Sequence, residues 1–146
     1  MDEHQLNVLL KNVPRYQGSY AIDEINQVET KIFPTFFVVN LGTRESGGSH
    51  WIALAVYQNH VYICDALGGL LPGKQFPKPL INFLHILIQN RQIYITKQLQ
   101  PLSSSKCGEY CVLFIKEMSR TNNFSSFLSL FTSDLVQNDK LVSFLQ

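Results

Sequence analysis

The spacing of apolar residues along the chain predicts short helices and strands. Leucines that recur on one helical face predict an N-terminal helix over 2–10, which ends before Pro14. No period dominates 16–30, and this favours an irregular stretch or a short helical turn. The apolar run 36–40 combines aromatic and β-branched residues and is typical of a buried strand.

Two further apolar runs predict an antiparallel hairpin. The segments 50–57 and 61–65 have the length and composition of strands, and the tight connection 58–60 joins them. A polar loop over 42–49 leads into the first of these strands, and a loop rich in glycine and proline over 68–79 follows the second.

The second half of the chain is mainly helical by the same criteria. Helical spacing predicts a helix over 80–89, and 93–96 is typical of a short strand. After a polar loop, a helix begins near Cys107 and runs to 120. The order of elements indicates a single α+β domain over 1–146 with a largely antiparallel sheet. Two short helices, 124–131 and 135–145, complete the chain, with Ser133 and Asp134 as cap candidates for the second.

Composition supports one packed domain and excludes several classes of protein. The 146 residues are 45% hydrophobic and 12% aromatic, too apolar for a disordered chain and sufficient for a core. No apolar run approaches the roughly 18 residues that span a bilayer. A net charge of +1 gives little attraction to nucleic acid. Three cysteines, an odd number, and no charged-then-apolar leader predict an intracellular protein with reduced thiols.

Cys107 is the strongest candidate nucleophile in the chain. It begins a predicted helix and follows Lys106, and both the helix dipole and a nearby cation lower the pKa of a thiol. Packing in the core is the ordinary alternative for a cysteine, and we expect that role for Cys64 and Cys111. Structural zinc is excluded because no second Cys/His pair lies at ligand spacing.

A nucleophilic thiol needs a base and a carboxylate that orients the base. His50 opens a strand after a Gly-Gly loop, which makes it the best placed of the four histidines. Asp65 ends the partner strand, and hairpin pairing predicts that it lies beside His50. The alternatives are an ordinary histidine at a strand end and an aspartate that starts the turn before Gly68.

Acyl transfer also needs donors for the oxyanion that develops on the substrate carbonyl. The backbone N–H of Cys107 at a helix start is one candidate donor. A side-chain amide of the preceding loop is the second, and both Gln98 and Gln100 are available. A solvated loop amide is the alternative for each glutamine.

Two motifs in a fixed order carry a resemblance to a known family. The sequence Gly-Gly-Ser-His-Trp at 47–51 precedes Asp65 and Gln100, and Cys-Gly-Glu-Tyr-Cys follows at 107–111. This order resembles that of the adenovirus-type maturation proteases, or adenains, within the superfamily of ubiquitin-like-protein proteases. The similarity extends over most of the chain.

The resemblance implies an α+β, papain-like or adenain-like cysteine protease fold. In that fold a mostly antiparallel sheet is flanked by helices, and the nucleophile lies at a helix N-terminus. It implies that Cys107 is the nucleophile and His50 the base, with Asp65 as the orienting carboxylate. It also implies Gln100 as the oxyanion donor, because a separation of seven residues from Cys107 matches the adenovirus enzymes better than that of Gln98.

The resemblance also implies a substrate class. The family cleaves after glycine in Gly-Gly or Gly-x-Gly type sequences, and Gly47, Gly48 and Trp51 are the expected substrate-binding residues, with the indole stacked near the imidazole. The implied substrates are viral capsid and core precursors that are processed during virion maturation, in the host nucleus or cytoplasm or in the virion. Ubiquitin-like modifiers are the alternative substrates. A catalytically idle binding domain is the alternative function.

Departures from the family concern the catalytic carboxylate and the regulation of activity. Adenovirus enzymes usually carry Glu at the position of Asp65, whereas the wider superfamily uses Asp. A peptide that forms a disulfide with an enzyme cysteine stimulates the family, as does DNA, but 80–99 contains no cysteine. We therefore expect that no peptide or DNA cofactor is required. We also expect a monomer that needs no metal and does not bind a membrane. The residues that remain for a local contact with nucleic acid are Lys74, Arg91, Lys97 and Lys106.

Overall fold

The computed structural model describes residues 1–69 and 76–145. Lys74 and the part of the predicted loop over 70–75 lie outside the described residues. The described strands are β1 Tyr16–Ala21, β2 Thr35–Asn40, β3 Trp51–Val56, β4 His60–Cys64 and β5 Gln92–Ile95. The α-helices are α1 Glu3–Leu10, α2 Lys78–Leu87, α3 Cys107–Thr121, α4 Phe124–Leu128 and α5 Leu135–Val142, and 3₁₀ helices cover Ile22–Gln27 and Ser143–Leu145.

The five strands form one mixed sheet in the order β1-β2-β3-β4-β5. The central strands β2, β3 and β4 are antiparallel, and β3 and β4 form the predicted hairpin, closed where Tyr57 N donates to His60 O at 2.8 Å. Both edge strands run parallel to their neighbours. The α+β prediction is therefore confirmed, and antiparallel pairing is confined to the centre of the sheet.

Strand β1 is an element that the sequence pattern does not predict. Its register against β2 is irregular between Tyr16 and Ser19, and most of its residues are partly exposed. An edge strand pairs on one side only and lacks the apolar pattern of an interior strand, so the sequence of this segment indicates an irregular stretch. The helical turn predicted for the same stretch is present as the 3₁₀ helix Ile22–Gln27.

The sheet separates two apolar layers, and this explains why β2 and β3 are almost continuously hydrophobic. Every residue of β2 is buried because helices cover both of its faces. Helix α3 packs on one face, and α2 packs on the other together with Ile22–Gln27. The central position of α3 fixes its first residue beside the start of β3. The α3 layer includes Phe36, Val38, Ala53, Ala55, Tyr110, Phe114 and Met118, and the α2 layer includes Phe37, Val39, Ile52, Leu54, Leu80 and Leu84.

The three cysteines are free thiols in this structure. Cys64 and Cys111 are buried on the α3 side of the sheet, in the packing positions expected for them. Within 1–69 and 76–145, no cluster of three or more His, Cys, Asp or Glu side chains is arranged to hold a metal ion. Among the described helices, none has the length and apolar character needed to cross a membrane.

Candidate active site

A cleft of about 800 Å³ opens where the start of α3 meets the end of β2 and the start of β3. His50, Trp51 and Cys107 line its centre. The loop over 42–49 forms one wall, together with the first residues of the chain. The loop over 102–105 contributes to the opposite wall.

The 42–49 loop is held in place by contacts to two other parts of the chain. The guanidinium of Arg44 donates to Glu24 at 2.7 Å and to Glu3 at 3.0 Å, and Gly42 O accepts from Ile22 N. The ion pairs of Arg44 are exposed and each stabilises the fold by no more than about 1 kcal/mol. Their effect is to define the shape of the loop that precedes His50.

Cys107 is the first residue of α3, as the sequence predicts. The side chain of the residue before it, Lys106, does not cap the helix, and the first N–H groups of a helix have no intrahelical acceptors. The thiol Sγ accepts a hydrogen bond from Trp51 N at 3.5 Å. A thiol at this position lies in the positive field of a helix N-terminus, which favours its thiolate form.

The hairpin brings His50 and Asp65 into direct contact. His50 Nε2 lies 2.7 Å from Asp65 Oδ1, and Asp65 is only 1% exposed. Since Nε2 is engaged by the carboxylate, Nδ1 is the ring nitrogen that remains for Cys107. Three side chains thus follow one another at the cleft in the order thiol, imidazole and carboxylate.

The electrostatics of the site favour an ion pair between His50 and Cys107. Burial lowers the pKa of His50, but the hydrogen bond to Asp65 and the neighbouring Cys107 raise it by more, to about 9. Burial raises the pKa of the Cys107 thiol, but His50 and the N–H of Trp51 lower it by more, so that the net pKa falls below its ordinary value. By contrast, burial raises the pKa of both Cys64 and Cys111.

Asp65 is itself positioned by a residue that the sequence pattern did not single out. The hydroxyl of Thr96 accepts from Asp65 N at 3.0 Å and donates to Asp65 O at 2.7 Å, and Thr96 is buried. Asp65 Oδ1 also accepts from Leu67 N at 3.0 Å. Because β4 and β5 are parallel, the residues that follow them emerge at the same edge of the sheet. Thr96 is the last residue of the predicted strand 93–96 and follows directly after β5 in the structure, and its position at this strand end was the available signal.

Gln100 is buried behind the loop that leads to Cys107. Its Nε2 donates to Ser104 O at 3.0 Å, and its backbone N–H donates to Ala66 O, next to Asp65. Its Oε1 has no partner among the described residues, and Gln100 is not one of the residues that line the cleft. Gln98 Nε2 donates to Gln100 O, and Gln98 is also not one of the residues that line the cleft. The oxyanion role of Gln100 stays a prediction.

The three residues expected to bind substrate all line the cleft. Gly47 and Gly48 have φ angles of +80° and +91°, values that favour glycine. Trp51 contacts Cys107 through its backbone N–H. The aromatic contacts of the described residues do not include the expected stacking of Trp51 on His50; the only histidine that stacks is His60.

Glu109, in the first turn of α3, is a further buried charge that the sequence did not reveal. It is 1% exposed, and its Oε1 lies 3.8 Å from the α-amino group of Met1. The side chain of Met1 packs against Gly108, where an added Cβ would lie 3.1 Å from Met1 Cβ. The contact joins residues that are far apart in sequence, and no local pattern indicates it.

The other candidate residues lie elsewhere on the molecule. His4 and His85 are exposed, and His60 stacks on Tyr62 in β4. Arg91, one of the residues named for contact with nucleic acid, donates to Tyr57 O and Leu87 O, so its guanidinium serves to hold the turn after α2.

Comparison with known proteins identifies related sequences and folds. Residues 26–141 match the family described as adenovirus endoprotease. No curated protein matches the chain. Among solved structures, ChlaDub1 from Chlamydia trachomatis is similar with a TM-score of 0.51 and 16% identity, over 77% of this chain and 57% of that one.

Two further solved structures are similar. The central domain of an uncharacterized protein from Legionella pneumophila has a TM-score of 0.52 and 12% identity, over 99% of this chain and 97% of that domain. A protease of ASFV has a TM-score of 0.48 and 18% identity, over 75% of this chain and 42% of its own. The chain therefore spans about half the length of ChlaDub1 and of the ASFV protease. At identities this low, the similarity to ChlaDub1 and to the Legionella domain shows the fold alone.

Proposed function

Because the chain belongs to the adenovirus endoprotease family, a family of cysteine peptidases, we propose that it hydrolyses peptide bonds with Cys107 as its nucleophile. The observation that carries the proposal is the contact of His50 Nε2 with Asp65 Oδ1 at 2.7 Å beside a thiol of lowered pKa. Nucleophile, base and orienting carboxylate are the set that covalent acyl transfer needs.

In the acylation step, the thiolate of Cys107 attacks the carbonyl carbon of the scissile peptide bond. The protonated ring of His50 donates its proton to the leaving amine, the C–N bond breaks, and a thioester forms on Cys107. In deacylation, neutral His50 accepts a proton from water, the resulting hydroxide attacks the thioester, and the C–S bond breaks. The thiol and imidazole then return to their starting charge states.

The oxyanion of each tetrahedral intermediate requires donors on the Cys107 side of the cleft. We assign the backbone N–H of Cys107, which lies in the first turn of α3 where no intrahelical acceptor exists. We assign Gln100 as the second donor, because a carboxamide has two N–H bonds and only one of them is used by Ser104 O.

Substrates of the proposed enzyme carry glycine at the cut site, in Gly-Gly or Gly-x-Gly sequences of viral structural precursors. Several of the residues that line the cleft are small, and they allow a peptide backbone without side chains to approach closely. They include Gly47, Gly48, Ser49, Ser104 and Ser105.

Incubation of the purified protein with structural precursors from the same genome tests this function. Mass spectrometry of the products is expected to show cuts after glycine. Cys107→Ala is expected to make none, and Cys111→Ala, which changes a buried cysteine one turn later in α3, is the matched control with cuts retained. Precursor cleavage by Cys107→Ala at the rate of the unmodified protein would refute the assignment.

The same cleft is compatible with ubiquitin-like modifiers, because these also end in Gly-Gly. A ubiquitin-like probe with a C-terminal propargylamide separates the two substrate classes. Inertness of the probe together with precursor cleavage supports the maturation role. Covalent labelling of Cys107 by the probe without precursor cleavage would refute the maturation role and indicate that the enzyme removes ubiquitin-like modifiers.

A further inference from the structure

Asn40 occupies a position next to the reactive groups that neither the motifs nor the proposed mechanism uses. It is the last residue of β2 and is paired with Trp51 across the sheet. Phe36 and Val38, at alternate positions of the same strand, pack on α3, so the side chain of Asn40 emerges on the α3 side. It is 7% exposed and is one of the residues that line the cleft.

The carboxamide of Asn40 is fixed in one orientation. Its Oδ1 accepts from Gly42 N and from Ser49 N, each at 2.8 Å. The opposite orientation would place the NH₂ group against these two N–H donors, so the oxygen must face them. Asn40 therefore joins both ends of the loop that leads into His50.

The NH₂ group of Asn40 consequently points away from these anchors. A Cβ added to Gly48 would lie 2.8 Å from Nδ2, so the amide rests against the glycine that lines the cleft. No described residue accepts a hydrogen bond from Nδ2. Among the described residues, the enclosed side-chain polar atoms without a partner are Gln100 Oε1 and Glu109 Oε2. Nδ2 is not one of them, so it is accessible. The group is thus a rigidly held donor that is open to the cleft.

We propose that Asn40 Nδ2 donates a hydrogen bond to a backbone carbonyl of the bound peptide. The inference rests on the proposed peptidase function and adds a specificity residue to it. A substrate with glycine at the cut site offers few side-chain contacts there, so recognition depends on its backbone groups. A donor that is already oriented loses little entropy when the peptide binds.

Asn40→Asp distinguishes the acceptor role of Oδ1 from the donor role of Nδ2. A carboxylate still accepts from Gly42 N and Ser49 N, so the loop is retained, but it offers no N–H to the peptide. In a Cys107→Ala background, we expect Asn40→Asp to raise the Kd of a Gly-Gly peptide at least about tenfold. Asn90→Asp, an exposed asparagine after α2, adds the same charge and is expected to leave the Kd unchanged.

Two further readouts distinguish contact with the peptide from a structural role. With Cys107 intact, the rate of iodoacetamide labelling rises with pH to a plateau. We expect the same plateau rate in Asn40→Asp, because this small probe does not need the peptide contact. A peptide in which the recognised C=O is reduced to CH₂ is expected to bind both forms equally. Scanning this reduction along the peptide identifies the carbonyl.

The proposal and the proposed function fail in different ways. An unchanged peptide Kd in Asn40→Asp overturns the role of Asn40, as does a loss of binding that is equal for every reduced peptide. A tenfold fall in the labelling plateau overturns it as well, since the residue then acts through His50. Normal peptide binding without any cleavage by the unmodified protein leaves Asn40 as a binding residue and refutes the peptidase.

Discussion

The pair Gly47 and Gly48 permits a matched test of how the histidine-bearing loop is held. Both residues have positive φ, so alanine at either position costs about 1–3 kcal/mol in backbone strain. An alanine Cβ at Gly47 meets no atom within 4 Å, whereas at Gly48 it would lie 2.8 Å from Asn40 Nδ2. Only Gly48→Ala must therefore displace the carboxamide.

Displacement of the carboxamide breaks its two hydrogen bonds to Gly42 N and Ser49 N. Neutral hydrogen bonds contribute about 1 kcal/mol each, so Gly48→Ala should be less stable than Gly47→Ala by about 2 kcal/mol. For a chain of this size the difference in Tm is about 4–8 °C. Thermal and urea unfolding of both variants measure it, and equal stability of the two would refute this role of Asn40.

Four further outcomes follow from the geometry of the site. Because the pKa of Cys107 is lowered, iodoacetamide should label Cys107 with a midpoint below the ordinary thiol pKa of about 8.5. Because the pKa of His50 is about 9, peptide cleavage should fall as the pH rises through about 9, where the ring loses the proton that the leaving amine needs. Asp65→Asn removes the carboxylate that raises the pKa of His50, so the labelling midpoint should move to higher pH; no movement would contradict the pairing. Thr96→Val leaves the N–H and C=O of Asp65 without their hydroxyl partner and should lower the free energy of unfolding by about 2–4 kcal/mol, while Thr96→Ser should retain most of it in urea unfolding.

The hairpin and the start of α3 were predictable because local patterns specify them. Strand composition and a tight connection predicted β3 and β4, and antiparallel pairing then implied that His50 and Asp65 lie together. A polar loop followed by helical spacing placed Cys107 at a helix start. Each inference needed only residues within one element or in two elements joined by a turn.

Contacts between distant segments were not predictable in the same way. β1 is half-exposed and pairs with β2 only, so its own sequence carries no clear strand period. The support of Asp65 by Thr96 depends on a parallel pairing of β4 with β5 across a long connection. The two hydrogen bonds of Asn40 depend on the path of a loop, which no periodicity describes.

The central claim is that Cys107 forms a covalent acyl intermediate with the substrate. Rapid acid quench of the protein reacting with a peptide ester that ends in Gly-Gly, followed by mass spectrometry, tests it directly. The expected result is an acyl group on the fragment that contains Cys107, and no adduct in Cys107→Ala. An acyl group on any other residue, or turnover of the ester by Cys107→Ala at an unchanged rate, would contradict the claim.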